Sequence, residues 1–271
     1  MKMVSSAKLK KAQTATENII LYQKRLDNIL NACFASETEF HSAYEEVRIV
    51  QKLAIVVFSS NSSLCGAFNS NVIKKLNEIV HLYKESGVSD IVVFPIGKKI
   101  HEATKKLRFT ISGSYQLLAE KPNFDETTKI ANTLIDKFLK KEFDKIIVIY
   151  HHLKSTAVQK LFVEDFLPIN FNKKESSNKI PINGDYIVEP NRIEILQTLL
   201  PKTLRTKLYA CLLDSNASEH GARVVAMQIA TDNADDLIRE LTIIYNKTRQ
   251  QTITSELLDI VGGISALKSG N

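Results

Sequence analysis

The C-terminal third of this chain constrains its fold more than any other feature. After Pro201 the sequence contains no proline, and its only glycine before Gly262 is Gly221. Nothing else there interrupts a helix, so the segment predicts one α-helix of about 60 residues, about 90 Å long at 1.5 Å per residue. A small globular domain rarely needs a helix of this length, and such a helix requires a partner along it.

Apolar residues repeat along this segment in steps of three and four, as they do along the seam of a coiled coil. The positions are Met227, Ala230, Ala234, Leu237, Leu241, Ile244 and Thr248, with an offset stripe at Ala222, Val225 and Ile229. Residues 1–47, which contain neither Gly nor Pro, carry a similar seam at Ala12, Ala15, Ile19, Tyr22, Leu26, Ile29 and Cys33. An amphipathic helix on a globular core would look similar over a few turns. The length of both seams favours an antiparallel coiled coil of the two terminal helices, residues 1–47 and 191–271.

The segment between them, residues 52–190, alternates predicted strands with predicted helices. Short apolar runs at residues 53–58, 91–94 and 146–150 are rich in β-branched side chains, which is typical of buried strands. Helical patterns cover residues 69–84 and 124–141, and weaker strand patterns cover residues 109–115 and 160–166. The composition of residues 170–185 predicts an exposed loop. This alternation predicts a Rossmann-like α/β domain with a largely parallel sheet.

Composition excludes several classes of protein. No run approaches the roughly 18 to 20 apolar residues that span a bilayer. The three cysteines, Cys33, Cys65 and Cys211, are odd in number and widely spaced, which argues against a disulfide framework or a zinc site and for buried cysteines in a reducing compartment. The net charge of +6 fits nucleic acid, an anionic membrane or an acidic protein, and equally a solvated surface. The absence of Trp and of basic runs with aromatic residues disfavours nucleic acid.

Signatures of catalysis are also missing. The chain has neither of the glycine-rich motifs that bind phosphate, so we expect no nucleotide cofactor. Gly97, Lys98 and Lys99 follow a predicted strand but lack the glycine spacing of a phosphate-binding loop. We interpret them as a turn into a helix. His151 and His152 adjoin a predicted strand, where neighbouring side chains point to opposite faces, so we expect a loop pair without function and no metal. Cys65 has no histidine placed to activate it, and we expect it to be structural.

Several motifs resemble one known family over the whole chain. The C-terminal helix carries Ala217-Ser218-Glu219-His220-Gly221-Ala222-Arg223, then Ala230-Thr231-Asp232-Asn233-Ala234, Tyr245-Asn246-Lys247-Thr248-Arg249-Gln250 and Glu256-Leu257-Leu258-Asp259-Ile260-Val261-Gly262-Gly263. The N-terminus carries Met1-Lys2-Met3-Val4, and the middle carries Leu64-Cys65-Gly66 and Tyr186-Ile187-Val188-Glu189-Pro190. In these motifs the chain is similar to the gamma subunits of F-type ATP synthases.

The resemblance implies a non-catalytic rotor shaft. The terminal helices would form a coiled coil inside a ring of alpha and beta subunits, and the α/β domain would lie on the c-subunit ring beside the epsilon subunit. Proton flow would turn the c ring, and the shaft, turning with it, would drive each beta subunit through its nucleotide states for ATP synthesis. The resemblance also implies a peripheral position at the cytoplasmic face of a bacterial cell membrane, held by partners alone.

The resemblance also implies which residues bind partners: Arg249, Gln250, Thr254, Glu256, Lys2, Tyr186 and Glu189. Arginine suits such a contact because its planar fork makes several charge-assisted bonds. Two other readings stay open. A nucleotide-dependent α/β enzyme would require tight ATP binding by the lone chain, and a non-rotary coiled-coil scaffold would leave the motif around Arg249 unexplained.

Three departures from the family pattern bear on these expectations. Asn61-Ser62-Ser63 stands where the family usually has Asp-Arg-Gly. Without these residues, an ion pair or a sharp turn at this position is not expected from the sequence. Gly221 replaces a usual alanine and lowers helix propensity. The family's first helix begins several turns before the Met-Lys-Met-Val motif, and those turns are absent here, so either the start is misassigned or the helix is short. If the helix is short, we expect the tip of the C-terminal helix to depend on the surrounding ring for burial. Its apolar tip residues are Leu257, Leu258, Ile260 and Val261.

Overall fold

The structure, a computed structural model, describes residues 1–35, 42–169 and 191–269. It divides into two compact units, Met1–Ala226 (unit 1) and Met227–Asn271 (unit 2). The helices are α1 (Lys2–Ala35), α2 (Phe68–Glu85), α3 (Lys98–Lys106), α4 (Gln116–Glu120), α5 (Phe124–Leu139) and α6 (Arg192–Ser269). The strands are β1 (Lys52–Phe58), β2 (Asp90–Ile96), β3 (Thr110–Ile111), β4 (Lys145–Ser155) and β5 (Val158–Leu167).

The five strands form one sheet in the order β3-β2-β1-β4-β5. Neighbours pair in parallel except β4 and β5, which form an antiparallel hairpin at one edge. The central strand β1 is apolar throughout its buried length because it is covered on both faces. Ala54 and Val56 face a core that α5 and α6 complete, whereas Leu53 and Ile55 face the core formed with α2 and α3. The predicted α/β architecture with a largely parallel sheet is therefore confirmed.

Helix α1 has a regular seam, but not quite the predicted one. Its buried positions step by four and three, and two half-buried residues, Ile19 and Gln23, continue the series. The buried members are Ser5, Leu9, Ala12, Thr16, Leu26, Leu30 and Cys33. The predicted members Ala15, Tyr22 and Ile29 lie beside this seam, and Tyr22 is 41% exposed. The prediction was wrong there because it followed apolar residues alone, whereas polar Ser5, Thr16 and Gln23 occupy seam positions.

Within unit 1, α1 and the first part of α6 pack as an antiparallel hairpin. Leu30 and Cys33 near the end of α1 contact Leu196 and Leu200 near the start of α6. Earlier in α1, the Tyr22 ring lies 6.0 Å from the Lys202 ammonium. Contacts that move backward along α1 as they move forward along α6 define antiparallel helices. Residues 42–50 are not helical, so the described helical part of the N-terminal segment is Lys2–Ala35.

Helix α6 begins earlier than its proline suggested and is 78 residues long. Asn191 caps it, since its side-chain Oδ1 accepts a hydrogen bond from the Glu194 amide at 2.8 Å. Pro201 lies inside the helix in its third turn, where it removes one backbone donor without ending the helix. The helix then crosses the sheet on an apolar stripe, formed by Leu204, Leu208, Cys211 and Leu212.

Gly221 lies where α6 passes the turn between β4 and β5. A Cβ atom added there would lie 3.1 Å from Leu153 Cδ1 and 3.5 Å from the Thr156 carbonyl oxygen. The closer neighbour is the far end of a half-buried, flexible side chain, which can move by a few tenths of an ångström. The site therefore has room for one methyl group and for little more.

We expect Gly221→Ala to be tolerated and Gly221→Leu to be damaging. Alanine adds about 0.5–1 kcal/mol of helix propensity, which offsets the small shift of Leu153. The larger side chain meets the β4–β5 backbone and lowers the free energy of unfolding by about 1–3 kcal/mol. Denaturant titration of both variants measures this. A loss above about 1 kcal/mol for the alanine variant would show that the hairpin cannot adjust.

Candidate partner-contact surfaces

Unit 2 is helical, and none of its described side chains is buried. Every described side chain from Ile229 to Ser265 is exposed, including many large apolar ones. These are Ile229, Leu237, Ile238, Leu241, Ile243, Ile244, Tyr245, Ile253, Leu257, Leu258, Ile260, Val261 and Ile264. Exposed apolar surface on this scale is typical of a surface that binds partners.

Eight apolar residues of unit 2 form two stripes on opposite faces of the helix, and six further large apolar residues lie outside both stripes: Ile229, Ile238, Ile243, Tyr245, Leu258 and Val261. The proximal stripe is Ala234, Leu237, Leu241 and Ile244, and the distal stripe is Ile253, Leu257, Ile260 and Ile264. Nine positions separate the last residue of the first stripe from the first residue of the second. At 3.6 residues per turn this is about two and a half turns, or a half-turn change of face. A partner on one side of the helix therefore cannot cover both stripes.

Arg249 and Gln250 lie between the two stripes in sequence and share the face of the distal one. They precede Ile253 by four and three residues, the spacing of neighbours on one helix face. Thr254 and Glu256 flank that face on either side, and the Thr254 hydroxyl donates to the Gln250 carbonyl oxygen at 2.8 Å. All four side chains are exposed. Among the described residues Arg249 forms no ion pair, so its guanidinium group is available to a partner.

The remaining predicted contact residues lie far away in sequence. Lys2 is exposed in the first turn of α1, beside the exposed side chains of Met1, Met3 and Val4. Tyr186 and Glu189 lie outside the described residues, as does the whole of the predicted loop 170–185. Of the predicted contact residues, the structure places Arg249, Gln250, Thr254 and Glu256 together on unit 2.

The loop between β1 and α2 keeps a sharp turn in spite of its unusual sequence. Leu64 and Gly66 have positive φ angles of 69° and 58°. The Asn61 side chain donates to the Gln116 carbonyl oxygen at 2.7 Å and accepts from the Lys98 amide at 2.9 Å. The Asn61 side chain thus ties this loop to the first residues of α3 and α4. The chain therefore makes a sharp turn here although Asn61-Ser62-Ser63 replaces the usual family sequence.

The same loop is also linked to α6 through a charged side chain. The Arg223 guanidinium donates to Ser62 Oγ and to Glu219 Oε1, both at 2.7 Å. Burial raises the pKa of Glu219, although the Arg223 charge acts in the opposite direction. Cys65, below this turn, is buried and accepts a hydrogen bond from Asn69 Nδ2 at 3.2 Å. All three cysteines are buried, as predicted.

The two adjacent histidines point to opposite faces of the sheet, as predicted, but they belong to β4 and not to a loop. The His151 ring stacks on Phe68 with a centroid separation of 4.2 Å. His152 Nδ1 lies 2.6 Å from Asp214 Oδ2, which joins β4 to α6. Sequence analysis missed this pair. The available signal was Asp214 itself, because this acidic residue directly follows three apolar residues of the helix, Cys211, Leu212 and Leu213.

An α/β domain with one long, exposed and two-faced helix defines a subunit that works through partners around it. The family model described as ATP synthase matches residues 1–267. The chain is 51% identical over 267 residues to the ATP synthase gamma chain of Bacteroides fragilis, covering 98% of this chain and 92% of that one. It is 45% identical over 268 residues to the gamma chain of Flavobacterium johnsoniae, covering 98% and 91%. This chain belongs to the ATP synthase gamma chain family.

Solved structures show the same fold. The central stalk of the Tetrahymena thermophila mitochondrial ATP synthase has a TM-score of 0.59 at 18% identity, covering 85% of this chain and 97% of that one. A chain of the Euglena gracilis mitochondrial ATP synthase has a TM-score of 0.56 at 20% identity, covering 98% and 96%. In the described ranges of this chain, no helix is both long and apolar enough to cross a membrane.

We expect His151 to make the protein less stable in mild acid. Burial lowers the pKa of His151 to about 4, whereas the pKa of an unfolded histidine is about 6.5. Between these values the unfolded chain binds more protons, so stability falls as the pH falls from about 6.5 to about 4. His151→Phe keeps the stacking on Phe68 and removes this titration.

The measurement is the free energy of unfolding by denaturant at several pH values between 7 and 4.5. The native chain should lose on the order of 1–3 kcal/mol more than His151→Phe over this range. Burial also lowers the pKa of His220 to about 4, so the variant keeps part of the dependence. His81→Phe, at an exposed position, is the matched control and should follow the native curve. Equal slopes for all three proteins would contradict the assignment.

Proposed function

We propose that this chain is the central rotor shaft of an F-type ATP synthase. It couples ion translocation through the c ring to conformational change in the catalytic beta subunits and makes or breaks no bonds itself. The observation that carries this is the exposed helix of unit 2, whose apolar stripes lie on opposite faces. Its partners are the alpha and beta subunits, the epsilon subunit and the c ring.

A two-faced helix suits a rotor because a rotor must treat identical partners differently. A contact shifts a conformational equilibrium only through differential interaction with the two states. Subunits arranged around the helix of unit 2 meet the proximal stripe, the distal stripe or a polar flank, according to the rotor angle. Turning the helix exchanges these surfaces among the subunits.

We assign the partner contacts to the polar residues beside the distal stripe. Arg249 and Gln250 bind an alpha or beta subunit, with Thr254 and Glu256 at the edges of the contact. This assignment is supported by their exposure, by their common place beside Ile253 and by the family motif. Lys2 belongs to the same set, as do Tyr186 and Glu189 outside the described residues.

The remaining expectations are part of the same proposal. Helix α1 within residues 1–47 and helix α6 within residues 191–271 serve as the coiled-coil segments, and residues 52–190 serve as the α/β domain. The family is supported by bacterial relatives, which favours the cytoplasmic face of a cell membrane as the working location. There the chain is a peripheral subunit held by its partners.

We expect Arg249→Ala, alone or with Gln250→Ala, to impair coupling far more than folding. Both side chains are exposed on a helix, where truncation changes stability by less than about 0.5 kcal/mol. Loss of charge-assisted bonds worth about 1.5–3 kcal/mol at the partner should lower coupled ATP synthesis about tenfold or more.

The measurement is ATP synthesis by the reconstituted complex, compared with thermal unfolding of the isolated chain. Arg239→Ala is the matched control, since it removes the same charge from the same helix outside the proposed contact. Native synthesis rates in the double variant, or an equal loss in the control, would count against the assignment.

We expect the helix beyond Thr248 to be only partly ordered in the isolated chain. All its described side chains through Ser265 are exposed, and a helix without tertiary contacts is marginal in water. Hydrogen exchange should show weak amide protection from Thr248 to Val261 in the lone chain and strong protection in the complex. Amides of 204–213, within the domain core, serve as the protected reference. Strong protection of the distal segment in the lone chain would refute this expectation.

A further inference from the structure

The apolar stripe that seats α6 on the α/β domain does not by itself fix how the helix is rotated about its axis. Leu204, Leu208, Cys211 and Leu212 occupy one sector of the helix and pack into the core. Apolar contacts are non-directional, so they oppose separation of helix and sheet more than rolling of the helix in its groove. Resistance to rolling requires directional bonds placed away from that sector.

One row of directional bonds joins α6 to the hairpin of β4 and β5. Lys207 Nζ lies 3.3 Å from Glu164 Oε2. Asp214 Oδ1 accepts from the Leu153 amide at 2.9 Å, while its Oδ2 lies 2.6 Å from His152 Nδ1. Ser218 Oγ donates to the His151 carbonyl oxygen at 3.1 Å. The three α6 residues follow in steps of seven and four, so they lie on one side of the helix.

A second row joins α6 to three elements on the other side of the stripe. Arg205 Nε donates to Asn132 Oδ1 of α5 at 2.7 Å. Asn216 Nδ2 donates to the carbonyl oxygen of Ala119 in α4 at 2.9 Å. Arg223 Nη2 donates to Ser62 Oγ in the loop after β1 at 2.7 Å. Steps of eleven and seven again place these α6 residues on one side.

The two rows flank the apolar stripe at about 90° on either side, at 3.6 residues per turn. A roll of α6 in one sense therefore stretches the first row, and a roll in the other sense stretches the second. The strongest member of each row is well shielded: the Asp214 side chain is 9% exposed and that of Arg223 is 11% exposed. Hydrogen bonds to charged groups are stiffer and stronger where water is excluded.

We propose that these two rows lock the rotational phase of α6 to the α/β domain and carry the torque between them, with Asp214 and Arg223 as the principal positioning residues. This inference rests on the proposed rotor function. Asp214 holds both a backbone amide and an imidazole of β4. Arg223 is the last of these contacts, four residues before unit 2 begins, and Glu219 supports it.

The isolated chain gives the first test. Spin labels on cysteines at Lys74 of α2 and Lys202 of α6, both exposed, report the rotation of the helix relative to the sheet as a distance distribution. The native cysteines are buried. Asp214→Ala with Arg223→Ala should broaden the distribution by about 1.5-fold or more, because each row loses its most shielded directional bond.

Leu212→Ala is the matched control, because it weakens the apolar stripe and leaves both rows intact. It should leave the width unchanged although it destabilises the chain. If the double variant does not fold, Asp214→Asn and Ser62→Ala weaken one bond in each row and should give a smaller broadening. An unchanged width in the variants of either row, or equal broadening in Leu212→Ala, overturns the proposal.

The complex gives the second test. A bead on the α/β domain, with alpha and beta subunits immobilised and arrested, should show at least about twofold greater angular variance in the Asp214 and Arg223 variant than in the native complex. Unloaded ATP hydrolysis should be unchanged, whereas ion pumping against a gradient should fall. Native variance would overturn the phase lock. If the native chain itself forms no rotating complex, the proposed rotor function fails, and the spin-label widths still decide the phase lock.

Discussion

A single helix has to meet two opposite physical demands, and the rest of the structure follows from how it does so. Over its first 35 residues α6 is a core element, with Leu204 and Leu208 almost fully removed from water. From Ile229 to Ser265 its side chains are exposed. The sheet, the hairpin of β4 and β5 and α1 together form the groove that holds the first part. The second part has no such groove within its unit and depends on other subunits for burial.

The exposed apolar stripes make this dependence energetic as well as geometric. Burying a leucine or isoleucine side chain contributes about 1.5–3 kcal/mol, so the seven leucine and isoleucine residues of the two stripes offer a large gain to a partner that covers them. The same surface is a liability in the free chain, where it favours non-specific association. Charged residues between and beside the stripes, such as Asp236, Arg239 and Lys247, reduce that risk. Burial against partners would therefore stabilise a helix that we expect the chain alone to maintain only in part.

Sequence reasoning reached the α/β sheet, the antiparallel helices and the family, because these depend on hydrophobic periodicity and on long motifs. It failed where polar residues occupy buried or half-buried positions at which the pattern led us to expect apolar ones. The seam of α1 passes through Gln23 and not Tyr22, since a long amide side chain can line the interface while the aromatic ring lies outside it. The pair of His152 and Asp214 joins residues 62 positions apart, and no local pattern announces it. The opposite faces of the two stripes required knowing that the helix runs unbroken between them.

That unbroken run gives the eight residues between Ile244 and Ile253 a role that does not depend on their chemistry. They act as a spacer that sets an angle. Each residue added or removed there turns the distal stripe by about 100° relative to the proximal one, together with Arg249 and Gln250 if the change precedes them. Two added residues would bring both stripes close to the same face and produce a one-sided helix suited to pairing with a copy of itself. The length of this spacer therefore sets the angle between the two apolar stripes about the axis of the shaft.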